Sequence, residues 1–215
     1  MTKALSHPDY PAFLAALKDR ILQARTIAAR AVNRELVLLY WDIGQRIVEK
    51  QRTAGWGEAV VERLAADLRA EFPDMRGFSA DNLWRMRQCF EEYSASEFLE
   101  QAVPELEKVG GQFLEQPVPE SLPGTDLSTP TKGKDHGEKL AQAVRELVAG
   151  VPWGHHLELL KKVKAPKARL YYLRATVQLG WSRSVLLNQI KAGAYERAVK
   201  EKKTHNFTLA LSPRQ

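Results

Sequence analysis

Two stretches of the chain place hydrogen-bonding side chains behind the same local design. Gly77-Phe78-Ser79 runs into Asn82, Leu83, Trp84, Arg85, Met86, Arg87 and Gln88. Gly180-Trp181-Ser182 runs into Arg183, Ser184, Leu186, Leu187, Asn188, Gln189 and Lys191. In each, a glycine and an aromatic residue precede a serine able to cap a helix, and the helix then mixes apolar residues with Arg, Asn and Gln. Arg pairs in bidentate fashion with guanine, and Asn or Gln with adenine, so these are residue types that read base edges in a major groove. A helix, a turn and a capped second helix is the layout of a helix-turn-helix, whose second helix enters that groove. The candidate DNA contacts are Ser79, Asn82, Arg85, Arg87 and Gln88 on the first helix, and Arg183, Ser184, Asn188, Gln189 and Lys191 on the second. Leu83, Met86 and Phe90 follow i, i+3, i+7 and are expected inside, which turns Asp81, Asn82, Arg85 and Gln88 outward. On the second helix Val185, Leu186 and Ile190 are the expected core. A capped amphipathic helix with a solvated polar face has the same pattern. The repetition of the design is what favours DNA.

Other chemistries find less support. Gly55-Trp56-Gly57 is too short for a phosphate-binding loop and lacks the Lys-Ser/Thr ending. His155 and His156 are adjacent and so point to different sides of a helix, and with a single cysteine no zinc ligand set is expected. Cys89 lies within an amphipathic helix and is expected to be a small core residue. Pro73-Asp74 with Glu201-Lys202-Lys203 mimics a nuclease pattern, but that chemistry needs carboxylates on adjacent strands. Here one lies in a helix–helix turn and the other at the end of a basic helix. No catalytic residue, metal or cofactor is expected within the chain.

The charge is unevenly spread. Residues 136–203 hold 14 Lys/Arg against 5 Asp/Glu, whereas residues 94–135 hold 3 against 8. A local excess of +9 favours a polyanionic partner such as double-stranded DNA. The hydrophobic share of 44%, with five Trp, six Tyr and seven Phe, is enough to build a core. No apolar run is long enough to span a membrane, no secretory apolar region follows Met1, and one cysteine cannot form an internal disulfide. Together these place the expected location in the cytoplasm.

The elements that carry these residues read as helices throughout. Pro8 and Pro11 open a first helix over 8–32, with Phe13, Leu14, Leu17, Ile21, Leu22 and Ala28 at helical spacing. A second, with Leu36, Leu39, Tyr40, Ile43 and Ile47, ends near Lys50, and Gly44 within it is expected to allow a neighbouring helix to pack closely. A third runs over 58–71 until Phe72-Pro73, and a fourth over 79–93. Residues 94–135 hold five of the eleven prolines and read as an acidic flexible insertion, with a short helix around 96–108. Helices then follow over 137–148, 155–164, 166–179 and 183–200, with Trp56, Trp153 and Trp181 pinning glycine turns to the core. Only 207–211 alternates like a strand. The expected fold is all-α. It comprises a helical subdomain over 8–93, the insertion 94–135, a basic helical subdomain over 136–203 and a truncated tail over 204–215.

The combination of Leu39-Tyr40-Trp41-Asp42-Ile43-Gly44, Gly55-Trp56-Gly57, Leu64-Ala65-Ala66-Asp67-Leu68 and Phe72-Pro73-Asp74-Met75-Arg76-Gly77-Phe78-Ser79 resembles the N-terminal domain of the YhcG-like bacterial proteins. Pro152-Trp153-Gly154-His155-His156, Tyr171-Tyr172, Gly180-Trp181-Ser182-Arg183 and Thr204-His205-Asn206-Phe207 extend the similarity through the second half. The resemblance implies a helix-turn-helix-like domain that precedes a PD-(D/E)xK nuclease domain, in proteins associated with DNA cleavage, restriction-like defence and mobile elements. The insertion is longer and more acidic than the family's connection. The chain ends at Gln215, where the nuclease domain would begin, so a non-catalytic DNA-targeting module is expected. A homodimer and a separate nuclease subunit are the further partners this implies. The alternative is a helical dimerisation or protein-interaction module built on the amphipathic stretches 33–50 and 58–71.

Overall fold

Residues 28–38 contain neither proline nor glycine, and nothing there ends a helix. The computed structural model, which describes residues 9–107 and 135–201, accordingly shows one helix where two were expected: α1 runs unbroken from Tyr10 to Ala54, 45 residues. It stops at Gly55, whose φ of 64° needs a residue without a Cβ and whose N–H bonds the Gln51 carbonyl. The other elements are α2 (Glu58–Glu71), α3 (Ala80–Ser94), α4 (Ser96–Glu107), α5 (Asp135–Ala149), α6 (Trp153–Lys162), α7 (Pro166–Leu179), α8 (Arg183–Lys191) and α9 (194–201). Every regular element among the described residues is a helix, so the fold is all-α. The strand-like 207–211 lies outside them.

One boundary further along also differs from the periodicity. The last helix is broken at Ala192-Gly193, where Gly193 adopts a φ of 62°, so 183–200 is two helices. The short helix expected around 96–108 is present as α4, and it buries Phe98 and Ala102 completely.

α1 and α3 form the centre of the packing. Gly44 sits where the two helices touch. A Cβ there would overlap the Met86 carbonyl oxygen and lie 2.7 Å from its carbonyl carbon, so the glycine serves close packing, as its sequence context suggests. On one side of α3, Tyr40, Ile47, Val61, Leu83 and Met86 pack with α2. On the other, Trp41, Tyr93, Phe98, Leu147, Leu159, Leu173 and Leu186 join α1, α3 and α4 to α5–α8. Full burial of side chains such as Tyr93 and Leu173 stabilises by roughly 2 kcal/mol each. Arg145 on α5 pairs with Asp42 on α1 at 2.9 Å, and Arg34 pairs with Glu146 at 2.5 Å.

Candidate nucleic-acid interface

The N-terminus of α3 is built as its sequence requires. Ser79 is extended (φ −73°, ψ 152°), and its Oγ accepts the Asn82 N–H at 3.2 Å. The preceding Gly77 has a φ of 112°, which disfavours any side chain there. α8 repeats the device: Ser182 Oγ accepts the Val185 N–H at 3.3 Å, after Gly180 at φ 62°. The connection from α7 to α8 is only Gly180-Trp181-Ser182. Between α2 and α3 the connection is the longer 72–79.

Asn82 corrects one expectation. It is 9% exposed, not outward. Its Nδ2 donates to the Gly77 carbonyl at 2.7 Å, and its Oδ1 accepts from Trp153 Nε1 at 2.9 Å. With both ends of the amide engaged, it ties the α3 turn to α6. Arg87 is also occupied. Its Nε donates to Gln51 Oε1 at 2.5 Å, a terminal nitrogen pairs with Glu91 at 2.8 Å, and the guanidinium lies 5.5 Å from the Trp84 ring centre. Asp81, Arg85 and Gln88 are exposed on α3. On α8, Leu186 is fully buried and Ile190 half-buried, but Val185 is 38% exposed, because α8 is too short to bury two faces. Ser184, Asn188 and Lys191 are exposed, and Gln189 is half-buried with its carbonyl accepting from the Tyr172 hydroxyl. Arg183 reaches back to Glu158 of α6. That hydrogen bond holds the Glu158 carboxyl below its ordinary range.

The two designs come together through α6. Trp153, its first residue, bonds Asn82, and Glu158 one turn on accepts from Arg183. His155 Nε2 meets the Trp181 carbonyl at 2.9 Å, and a carbonyl only accepts, so that nitrogen carries the proton. The N-terminal turns of α3, α6 and α8 are therefore joined in one cluster. Each helix start carries roughly half a positive charge. Exposed Lys161 on α6, Lys164 in the connection and Lys167 on α7 follow. Trp153 and His155 organise this junction. Their signal was the run Pro152-Trp153-Gly154-His155-His156, which reads as a turn anchor but not as the bridge between the two motifs.

His156 points the other way, into the core. Its Nε2 donates to the Val148 and Val151 carbonyls at 3.0 and 3.2 Å, where α5 ends, and its Nδ1 accepts from the Tyr93 hydroxyl at 3.3 Å. Burial lowers its pKa from 6.5 to about 4. The unfolded chain therefore takes up a proton, as pH falls from 6.5 to about 4, that the folded chain refuses. Stability is expected to drop by roughly 3 kcal/mol across that window, by the standard conversion of pKa differences. Urea midpoints at several pH values check this; His156→Phe should flatten the dependence, and an unchanged slope in that variant would assign it to another group. Cys89 is fully buried and its thiol is pushed up by that burial, so it is a core residue. Among the described residues, no three His, Cys, Asp or Glu side chains are grouped to hold a metal, and no helix is long and apolar enough to cross a membrane.

The family described as DUF1016 N-terminal domain matches residues 16–109 and 135–197. The unmatched interval between them falls in the proline-rich acidic stretch. A protein of Escherichia coli (strain K12) described as "Putative nuclease YhcG" is 30% identical over 180 residues, which cover 82% of this chain and 43% of that protein. The chain thus spans less than half the length of this curated relative. No solved structure matches.

Proposed function

The chain belongs to the DUF1016 N-terminal domain family, and from that premise we propose that it is a cytoplasmic DNA-binding module that targets a nuclease. The observation that carries this reading is the cluster of the N-terminal turns of α3, α6 and α8, held by the Asn82–Trp153 bond and by the His155 bond to the Trp181 carbonyl. In this reading the helix starts and neighbouring lysines take backbone phosphates. Arg85, Gln88, Arg183, Ser184, Asn188 and Lys191 face the grooves. Ser79 and Asn82 hold the turn, and Arg87 and Gln189 support the helices that present the others. Cleavage is assigned to residues outside this chain, in line with its spanning 43% of the nuclease-named relative.

Fluorescence anisotropy with a labelled duplex tests this. About four phosphate contacts predict a loss of affinity of roughly a hundredfold between 50 and 200 mM salt. Arg85→Ala and Arg183→Ala should each weaken binding about tenfold or more, the cost of one lost bidentate contact, with thermal stability nearly unchanged. Undetectable binding at 50 mM salt, or binding that neither substitution alters, would overturn the proposal.

A further inference from the structure

The first half of α1 is apolar on a face that nothing among the described residues covers. Tyr10, Phe13, Ile21 and Val32 are 55, 62, 55 and 71% exposed, and the buried residues of α1 begin only at Val37. A helical arm gains most of its stability from packing an apolar face, and apolar patches of this extent mark interfaces. The second half of α1 carries the complementary shape. Leu39, Ile43 and Ile47, with Leu64, Leu68 and Phe72 around α2, line an apolar groove of about 610 Å³.

Stripe and groove share one face of one helix. Leu14, Leu17, Ile21 and Val32 fall in line with Leu39, Ile43 and Ile47, because steps of 3, 4, 7 and 11 residues return to the same side of an α-helix. The arrangement is also symmetric: Ile21 and Ile43 are equally far from Val32, as are Leu17 and Ile47. Two copies laid antiparallel, with a two-fold axis at Val32, therefore set Ile21 over Ile43 and Leu17 over Ile47 twice. Charge is complementary at the α2 side of this pairing. Residues 10–33 carry Lys18, Arg20, Arg25 and Arg30 against Asp19, whereas α2 carries Glu58, Glu62, Asp67 and Glu71 against Arg63 and Arg69; the groove lining itself holds Arg46 and Lys50 with Glu49. Parallel pairing would instead place two basic arms together and leave both grooves open.

We propose that the chain forms an isologous antiparallel dimer along α1, in which the arm of each copy covers the α1–α2 groove of the other. The proposal is independent of the nucleic-acid reading. Sedimentation equilibrium of the whole chain at tens of micromolar should give twice the 24.3 kDa chain mass. Ile21→Glu in the arm and Met75→Glu in the groove lining change residues that are 55 and 42% exposed, so each should yield a monomer whose core tryptophans keep their near-UV circular dichroism. Under mild oxidation, Val32→Cys should form an intermolecular disulfide and Leu17→Cys should not; native Cys89 is buried and does not compete. A monomeric parent chain, a dimer that survives either glutamate, or cross-linking of Leu17→Cys as ready as that of Val32→Cys would each overturn the proposal.

Discussion

Gly44→Ala is expected to destabilise the protein by about 2–3 kcal/mol, although alanine is the better helix former. In an exposed helix the same change would stabilise by about 1 kcal/mol. Here the added methyl meets backbone. It overlaps the Met86 carbonyl oxygen and stands 2.7 Å from the carbonyl carbon and 3.2 Å from the Arg87 nitrogen. Those atoms belong to the hydrogen-bonded ladder of α3 and cannot rotate aside as a side-chain tip would. α1 and α3 must separate instead, which opens the contacts of Leu83, Met86 and Tyr40 on one side and Trp41 and Cys89 on the other. Overpacking of this kind costs typically 1–3 kcal/mol, and here the backbone origin of the clash places it at the upper end. In a chain of this size that is a fall in melting temperature of roughly 5–10 °C. Calorimetry of Gly44→Ala beside Gly57→Ala, where a Cβ meets nothing within 4 Å, isolates the effect. Equal melting temperatures for the two variants would refute the contact.

Arg169→Met is expected to cost more, about 3–5 kcal/mol, and the reason lies in which of its partners matters. Arg169 is 2% exposed. Its Nε donates to the Val163 carbonyl at 3.0 Å and a terminal nitrogen to the Lys164 carbonyl at 3.3 Å, where α6 ends without further helix to receive those groups. The other terminal nitrogen pairs with Glu92 of α3 at 2.8 Å, and the guanidinium lies 5.9 Å from the Tyr93 ring centre. Glu92 is 42% exposed, so the ion pair itself contributes about 1 kcal/mol or less. Orphaned carbonyls cost about 1–3 kcal/mol each, so they dominate the loss. Methionine keeps most of the apolar stem and removes only the fork, and Glu92→Gln removes only the charge. Urea titrations should therefore show a large loss for Arg169→Met and a small one for Glu92→Gln. Comparable losses would mean that the ion pair, not the carbonyl bonds, holds α3, α6 and α7 together.

Much of the fold was legible because it is local. The glycine at each helix end, the proline at the start of α7 and the Ser79 and Ser182 caps act within one turn, and each forms as its residues dictate. Where local signals were weak, periodicity misplaced boundaries. It divided α1 near residue 32, since the apolar stripe thins there while the backbone meets no obstacle. It also ran α8 and α9 together across Gly193, whose positive φ periodicity does not register. The short helix expected within 94–135 is α4, but that it packs Phe98 into the shared core was not legible from composition.

The sequence by itself determined the helical class, the two capped helices and the basic character of the second half, since charge and capping need no distant partner. Tertiary structure decided what each polar side chain of those helices is free to do. Asn82 looked available to a base until Trp153, far along the chain, took its carbonyl oxygen, and Arg87 was drawn to Gln51 and Glu91. Only Arg85, Gln88, Ser184, Asn188 and Lys191 among the expected contacts are left exposed without a partner in the bonds described above, with Arg183 held by Glu158 alone. The physical reason is that a buried amide or guanidinium must satisfy its donors within the protein. Which ones are buried depends on how helices cross, and that is set by contacts such as Gly44 on Met86 that no local pattern encodes.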